Sequence, residues 1–283
     1  MSATAAATTL PSRAAVMAQA GDENFPVGGR LLAGPAARDL LAIYGFARLV
    51  DDIGDELDGD RVALLDWAEE ELDRIYSGAR PEHEVMRALA ASVSRRSLPR
   101  RPFELLIAAN RRDQEVGSYE TFEDLLAYCE LSAAPVGELV LEVFEAATPR
   151  RLALAGQVCA GLQVVEHLQD VAEDHARGRV YLPRRDMARF DCGEAELEAP
   201  TASPRLRALI AFEAGRADAL LAAGVPLVGE LRGRARLTVS AFLAGGRATL
   251  AALGDAGWDV LGARPRRSRG GFAIQFLRSV TGR

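Results

Sequence analysis

Tyr44-Gly45-Phe46-Ala47-Arg48-Leu49-Val50-Asp51-Asp52-Ile53-Gly54-Asp55-Glu56 decides how the rest of the chain is read. Tyr44, Arg48, Asp51 and Asp55 fall four, three and four residues apart, so a helix here carries them on one stripe. A second stretch repeats the layout. Gln163, Glu166, Asp170 and Asp174 are three, four and four apart, while Leu162, Val165, Leu168 and Val171 occupy other faces. A helix apolar on several sides is a buried one, and ionised carboxylates inside it must be paired or hold a metal. Like charges one turn apart repel, and a divalent cation reverses that sign. Hard carboxylate oxygens suit Mg²⁺, which keeps several waters and shares itself with substrate phosphates. The candidate metal ligands are therefore Asp51, Asp52, Asp55, Asp170 and Asp174. Two such clusters facing each other across a cavity would trap a diphosphate. The competing readings are a solvated, salt-bridged face around Arg48 and Asp52, and pairing of the second cluster with Arg177 and Arg179.

Outward from these stretches the chain reads as all-α. Helices are expected from Pro35 onward and at 61–77, 83–96, 102–117, 121–131, 135–146, 149–176, 203–223, 226–253 and 270–280. Gly and Pro clusters punctuate them, as at Gly78 to Pro81 and Gly224 to Pro226. The polar, acidic stretch 184–202 lacks periodicity and reads as a loop. Residues 1–20 are expected to be disordered, 21–262 to form one domain and 263–283 a basic tail.

The 283 residues carry a net charge of −6, which argues against nucleic acid as a partner. Every basic side chain among the 34 is arginine, and arginine grips phosphate bidentately. Cys129, Cys159 and Cys192 are widely spaced, without a zinc or disulfide pattern, which fits a reducing cytoplasm. No signal peptide is apparent, and no stretch is expected to approach the length needed to span a bilayer. No glycine-rich phosphate loop follows a strand. His83, His167 and His175 form no His-x-x-x-His or Glu-x-x-His pair, which weakens zinc-hydrolase and di-iron readings. His167 and His175 flank the second acidic stripe without belonging to it.

Tyr-x-x-x-Arg-x-x-Asp-Asp-x-x-Asp, then Gln-x-x-x-x-x-x-Asp-x-x-x-Asp ahead of Gly178-Arg179-Val180-Tyr181-Leu182-Pro183, resembles the squalene/phytoene synthase family over residues 22–245. The resemblance implies an isoprenoid synthase fold: a single helical domain around a central cavity, with Mg²⁺ held at Asp51, Asp55, Asp170 and Asp174. It implies that Tyr44, Arg48, Gln163 and Arg179 contact diphosphate, with Tyr181 beside them. Tyr128, in Tyr128-Cys129-Glu130-Leu131-Ser132-Ala133-Ala134-Pro135-Val136-Gly137, corresponds to an active-site tyrosine. That segment departs from the general family pattern and, with Glu23 to Val27, is similar to the hydroxysqualene-forming branch of the hopanoid pathway. The branch takes presqualene diphosphate and quenches its cation with water. Glu166 stands where the family commonly has asparagine. The Asn24-Phe25-Pro26-Val27-Gly28 segment replaces the family's serine-containing one, which puts a first condensation step in doubt.

Loss of diphosphate leaves a carbocation, which needs an apolar, aromatic cavity closed to stray water. Phe25, Phe46, Tyr44, Tyr128 and Phe242 are candidates for that wall, each also readable as ordinary core. Water capture is the expected quench. Head-to-head condensation of two prenyl diphosphates is the alternative, and a helical assembly protein without catalysis the distant one. The expected partners are a prenyl diphosphate and other enzymes of the hopanoid pathway. The tail holds Arg264, Arg266, Arg267, Arg269, Arg278 and Arg283 and no acid, beside Phe272, Ile274, Phe276, Leu277 and Val280. It reads as a peripheral contact with anionic lipid at the inner membrane face, or as apolar residues docked on the core with solvated arginines.

Overall fold

The computed structural model describes residues 10–18, 34–262 and 268–281. Phe25 and the rest of the Asn24 to Gly28 segment, with Arg264, Arg266, Arg267 and Arg283, lie outside them. The described residues form helices α1 (Arg13–Ala18), α2 (Pro35–Asp55), α3 (Arg61–Ser77), α4 (Glu84–Arg96), α5 (Arg101–Asp113), α6 (Phe122–Ser132) and α7 (Ala134–Val143). They continue with α8 (Pro149–Gln169), α9 (Val171–Ala176), α10 (Arg184–Arg189), α11 (Pro204–Gly224), α12 (Pro226–Glu230), α13 (Gly233–Asp255) and α14 (Arg269–Thr281). No strand occurs among the described residues. A single parallel bridge joins Ser118 to Val180, where the Val180 N–H donates to Gly117 O at 2.7 Å.

Local chemistry sets the helix starts. Asp60, Thr148 and Ser203 each cap a helix with a side-chain oxygen. Thr121 opens α6 with a reciprocal capping box to Asp124, at 3.1 and 3.0 Å. Pro35, Pro149, Pro204 and Pro226 sit in first turns, where the missing N–H costs nothing.

Four expectations are corrected. Residues 10–18 are ordered: Val16 on α1 is fully buried, and Arg13 N–H donates to Glu84 Oε1 at 2.5 Å. The stretch 149–176 is two helices, because Asp170 leaves helical geometry at φ −104°, ψ 13°. The ladder still runs through the joint, with Asp170 N to Glu166 O at 3.0 Å and Asp174 N to Asp170 O at 2.7 Å. The stretch 226–253 divides at Leu231, which is extended, and Gly233, at φ +55°. The 184–202 loop holds α10 and a 3₁₀ turn at Glu194–Glu198. α13 is also long and apolar enough to cross a bilayer by length and composition, but it is mostly buried inside the protein and serves as a core helix.

Apolar residues gather in two clusters. One is built by α2 to α5, with Phe46, Ile53, Leu72, Leu89 and Phe103 fully buried. The other is built by α6, α8, α11 and α13, with Leu206, Leu209, Leu221 and Leu243 fully buried. α7 serves both, giving Leu139, Val140 and Val143 to the first and Leu141 to the second. α8 and α11 approach closely because Gly161 has no side chain: a Cβ there would stand 2.9 Å from Leu221 Cδ2. α14 packs on α13, and the Arg236 guanidinium donates to Val280 O at 2.7 Å. The more buried side of α14 carries Phe272, Phe276, Ser279 and Val280, and Ile274, Leu277 and Arg278 face outward. The apolar stripe of the tail is thus docked on the core.

One buried charge cluster lies away from the cavity. Glu213 on α11 is 1 % exposed and shares Arg216 with Asp186, at 3.2 and 2.6 Å. Burial first, and then the Asp186 charge, raise its carboxyl to about 7 despite Arg216. The folded pKa exceeds the unfolded one, so this group's stabilisation is full below the unfolded value and is lost as pH rises through about 7. Each unit is worth roughly 1.4 kcal/mol, so between pH 4.5 and pH 8 wild type should lose about 3 kcal/mol relative to Glu213→Gln. Urea denaturation across that range reads this directly. Parallel stability profiles for the two proteins would show that Glu213 ionises freely in the fold.

Candidate active site

α2 presents its acidic stripe toward α5. Asp51 Oδ1 accepts from Asn110 Nδ2 at 3.0 Å, and Asn110 also reaches its own helix at Leu106 O. Gln114 Nε2 donates to Gly54 O at 3.1 Å. Gly54 allows this approach, since any Cβ there would collide with the Asn110 amide oxygen. Asp52 points elsewhere. It is 3 % exposed and sits 2.7 Å from Arg48 Nε, while Arg48 Nη2 holds Glu56 at 2.7 Å. Asp51 and Asp55 are the less buried carboxylates of α2, and Asp52 is held in a buried ion pair with Arg48. The Arg48–Asp52 pair of the competing reading forms, but Asp52 is buried, so this is not the solvated face that reading supposed.

Across from α2, Gln163 and Glu166 on α8 line the same cavity as Tyr44, Arg48 and Asp51. The cavity measures about 190 Å³ and runs between the two apolar clusters. Its apolar wall comes from Leu40, Ile43, Leu106, Val140, Leu162 and Phe242. Ser132, Ala133, Val136 and Gly137 also face it, so the segment that departs from the general family pattern is cavity wall. Phe46 is not. It lies on the opposite side of α2, fully buried, edge-on to Phe103 with ring centroids 5.1 Å apart. The reason is helical: two residues from Tyr44 is more than half a turn away.

Arg179 joins the two acidic stretches. Its backbone N–H donates to Asp174 O at 2.9 Å, and its guanidinium is bonded to the Asp55 carboxylate. Burial alone would lower the Arg179 pKa, but the Asp55 contact outweighs it and the group is held protonated. Behind this pair lies a polar cluster. Tyr128 donates to Asp113 Oδ2 at 2.5 Å, and Tyr181 donates to Asp113 Oδ1 at 3.2 Å. Tyr181 stacks on His167 at 3.8 Å, and His167 Nδ1 lies 3.9 Å from Asp174 Oδ2. Gln163 Nε2 is 3.4 Å from the other nitrogen of the same ring. Tyr119 packs on Tyr128 and Tyr181 at 5.4 and 6.1 Å. Burial, with the neighbouring Tyr181 and Asp113, pushes the Tyr128 phenol well above its usual range. Burial also raises the Asp113 carboxyl, against the Tyr128 hydrogen bond and the Arg179 charge.

Tyr128 and Tyr181 therefore sit one layer behind the cavity wall. Sequence reading did not single out Asp113, Asn110 or Tyr119, and it set His167 aside. Asp113 ends α5 in Arg111-Arg112-Asp113-Gln114, which looks like an ordinary charged helix terminus. Only the Ser118–Val180 bridge, which lays the 177–182 segment beside the end of α5, gives it a role.

Among the described residues no three His, Cys, Asp or Glu side chains form a metal-holding group. Asp51 and Asp55 stand on α2, while Asp170 is the joint of α8 and α9 and Asp174 lies on α9, with the Arg179 guanidinium bonded to Asp55. Such a donor set makes no protein-only cage. It fits Mg²⁺ that takes one or two carboxylates and completes its shell with water and diphosphate oxygens.

An all-α bundle in which α2 and α8 each bring an acidic stretch to one apolar cavity, at Asp51 and Glu166, defines the isoprenoid synthase class. The chain belongs to the squalene/phytoene synthase family, whose profile matches residues 18–270. It is 37 % identical over 216 residues to hydroxysqualene synthase from Rhodopseudomonas palustris, covering 75 % of this chain and 72 % of that one. Phytoene synthase from Mycobacterium tuberculosis is 32 % identical over 228 residues, covering 77 % and 73 %. The crystal structure of squalene synthase HpnC from Alicyclobacillus acidocaldarius superposes with a TM-score of 0.78 at 39 % identity, over 86 % of this chain and 92 % of that chain. The family is one of synthases that process prenyl diphosphates.

Asp51→Ala and Asp170→Ala should each lower turnover of a prenyl diphosphate by a factor on the order of 10² to 10³, as for loss of one group stabilising developing charge. Circular dichroism should show the helix content of wild type. Near-normal turnover by Asp170→Ala at saturating Mg²⁺ would remove the joint of α8 and α9 from the metal set.

Proposed function

We propose that the protein converts presqualene diphosphate and water to hydroxysqualene, diphosphate and a proton, in an Mg²⁺-dependent reaction. The observation that carries this reading is the apolar cavity into which Asp51 and Glu166 bring one carboxylate from each acidic stretch, and whose wall includes Ser132, Ala133, Val136 and Gly137. Similarity to hydroxysqualene synthase supports the same choice.

Each side chain has work to do. Arg48 and Arg179 bind diphosphate oxygens by charge-assisted hydrogen bonds, with Tyr44 and Gln163 orienting the same group. Asp51, Asp55, Asp170 and Asp174 would hold Mg²⁺, which when bound supplies positive charge to the departing diphosphate. Leu40, Ile43, Leu162 and Phe242 keep bulk water from the chain that becomes cationic as the carbon–oxygen bond breaks. Capture forms a new carbon–oxygen bond to one admitted water, which then releases its proton. Glu166 adds a carboxylate to the cavity rim and so raises the demand for cations there. The substrate must come from an enzyme that joins two prenyl diphosphates, and the product goes to one acting on a C–O bond at an allylic carbon. Both lipids give the protein reason to work beside a membrane surface.

Similarity to phytoene synthase favours a second reading, head-to-head condensation of two prenyl diphosphates. One experiment separates the two. Presqualene diphosphate incubated with enzyme and Mg²⁺ in ¹⁸O-water, without nicotinamide, should give an alcohol heavier by the label. An unlabelled hydrocarbon, strict dependence on NADPH, or turnover only of farnesyl or geranylgeranyl diphosphate would replace hydroxysqualene formation with the condensation reading.

A further inference from the structure

Arg179 stands between two carboxylates and touches one of them. Its Nη2 is bonded to Asp55, while its Nη1 lies 3.4 Å from the Tyr181 hydroxyl and 3.9 Å from Asp113 Oδ2. Asp113 is the more buried carboxylate, its side chain 6 % exposed against 23 % for Asp55. A charge so buried needs partners. The Tyr128 and Tyr181 hydroxyls, one on each oxygen, supply part of that need and fix the carboxylate in place. The remaining partner is a guanidinium standing about 1 Å beyond ordinary charge-assisted distance.

We propose that Asp113 is the second seat of the Arg179 guanidinium: a positioning residue that receives Arg179 when Asp55 is taken up with the metal-bound diphosphate. This rests on the metal–diphosphate reading of the preceding section. The argument is electrostatic. Asp55 cannot serve as the ion-pair partner of Arg179 and as ligand to a divalent cation on the same oxygen. A cation arriving at Asp55 repels the guanidinium, which is only 10 % exposed and cannot escape into water at low cost. Asp113 is the other carboxylate within reach. The shift needs no backbone change, because the Arg179 N–H stays on Asp174 O. In the free protein Arg179 neutralises Asp55; in the complex its Nη1 edge pairs with Asp113 and its Nη2 edge, released from Asp55, is left to the diphosphate. Asp113 therefore governs how readily the first acidic stripe is released for binding, without touching substrate itself.

The test is calorimetric titration of the full chain with inorganic pyrophosphate in saturating Mg²⁺. Wild type, Asp113→Asn, Arg179→Gln and the double variant are compared. Asp113→Asn should weaken pyrophosphate binding about tenfold or more, the scale of a hydrogen bond to a charged group. In the Arg179→Gln background the same change should cost less than about twofold, because the group to be reseated is gone. Asparagine keeps an acceptor for one phenol, and circular dichroism checks the fold of each variant. Equal affinities for wild type and Asp113→Asn overturn the second seat, as does an equal loss in both backgrounds, which marks plain structural support. Failure of wild type to bind pyrophosphate in an Mg²⁺-dependent way overturns the metal–diphosphate reading, and the second seat with it. A crystal structure of wild type with both ligands decides the matter without variants. Arg179 in contact with Asp113 supports the proposal, and Arg179 still on Asp55 overturns it.

Discussion

The acidic stretches of α2 and α8 meet at one cavity, which Asp51 and Glu166 both face, and like charges brought together repel. Arginine supplies the opposing charge. Arg48 takes Asp52 and Glu56 along α2 itself. Arg179 reaches across, with Asp55 on its guanidinium and Asp174 O on its backbone N–H. The fork of a guanidinium suits this better than an ammonium would, since its separate nitrogens address Asp55, Tyr181 and Asp113 from one plane. Attraction between the two acidic stretches thus runs through a group that also has affinity for phosphate.

The stripe on α2 was legible because helical spacing is strict. Tyr44, Asp51 and Asp55 stand where the three-and-four pattern puts them, and Gln163 and Glu166 do so on α8. The same rule, applied to Phe46, would have placed it on the far side. Aromatic character alone had nominated it for the cavity, and that is the weaker warrant. The bend at Asp170 was not legible. The hydrogen-bond ladder continues through it, and no Gly or Pro marks the site. Asp113 was hidden for a different reason: its partners come from two other parts of the chain, Tyr128 from α6 and Arg179 and Tyr181 from the segment after α9. Spacing within one helix carries no information about such a meeting.

The tail shows how one pattern can serve two outcomes. Phe272, Phe276 and Val280 recur at helical spacing, which any apolar partner would satisfy. The partner present in the fold is α13, and the large apolar groups left outward on α14 are Ile274 and Leu277. Periodicity identified the face and could not identify what covers it.

The cavity runs along the seam between two apolar clusters, each of which closes on its own, and α7 belongs to both. Widening that seam would separate surfaces that already border the cavity, while Phe46, Ile53, Leu209 and Leu243 stay packed. A long lipid could therefore pass by parting two packed halves like the covers of a book, with α7 as the spine. Parting them would leave both cores intact and would break the Arg179–Asp55 contact, which ties the two acidic stretches together.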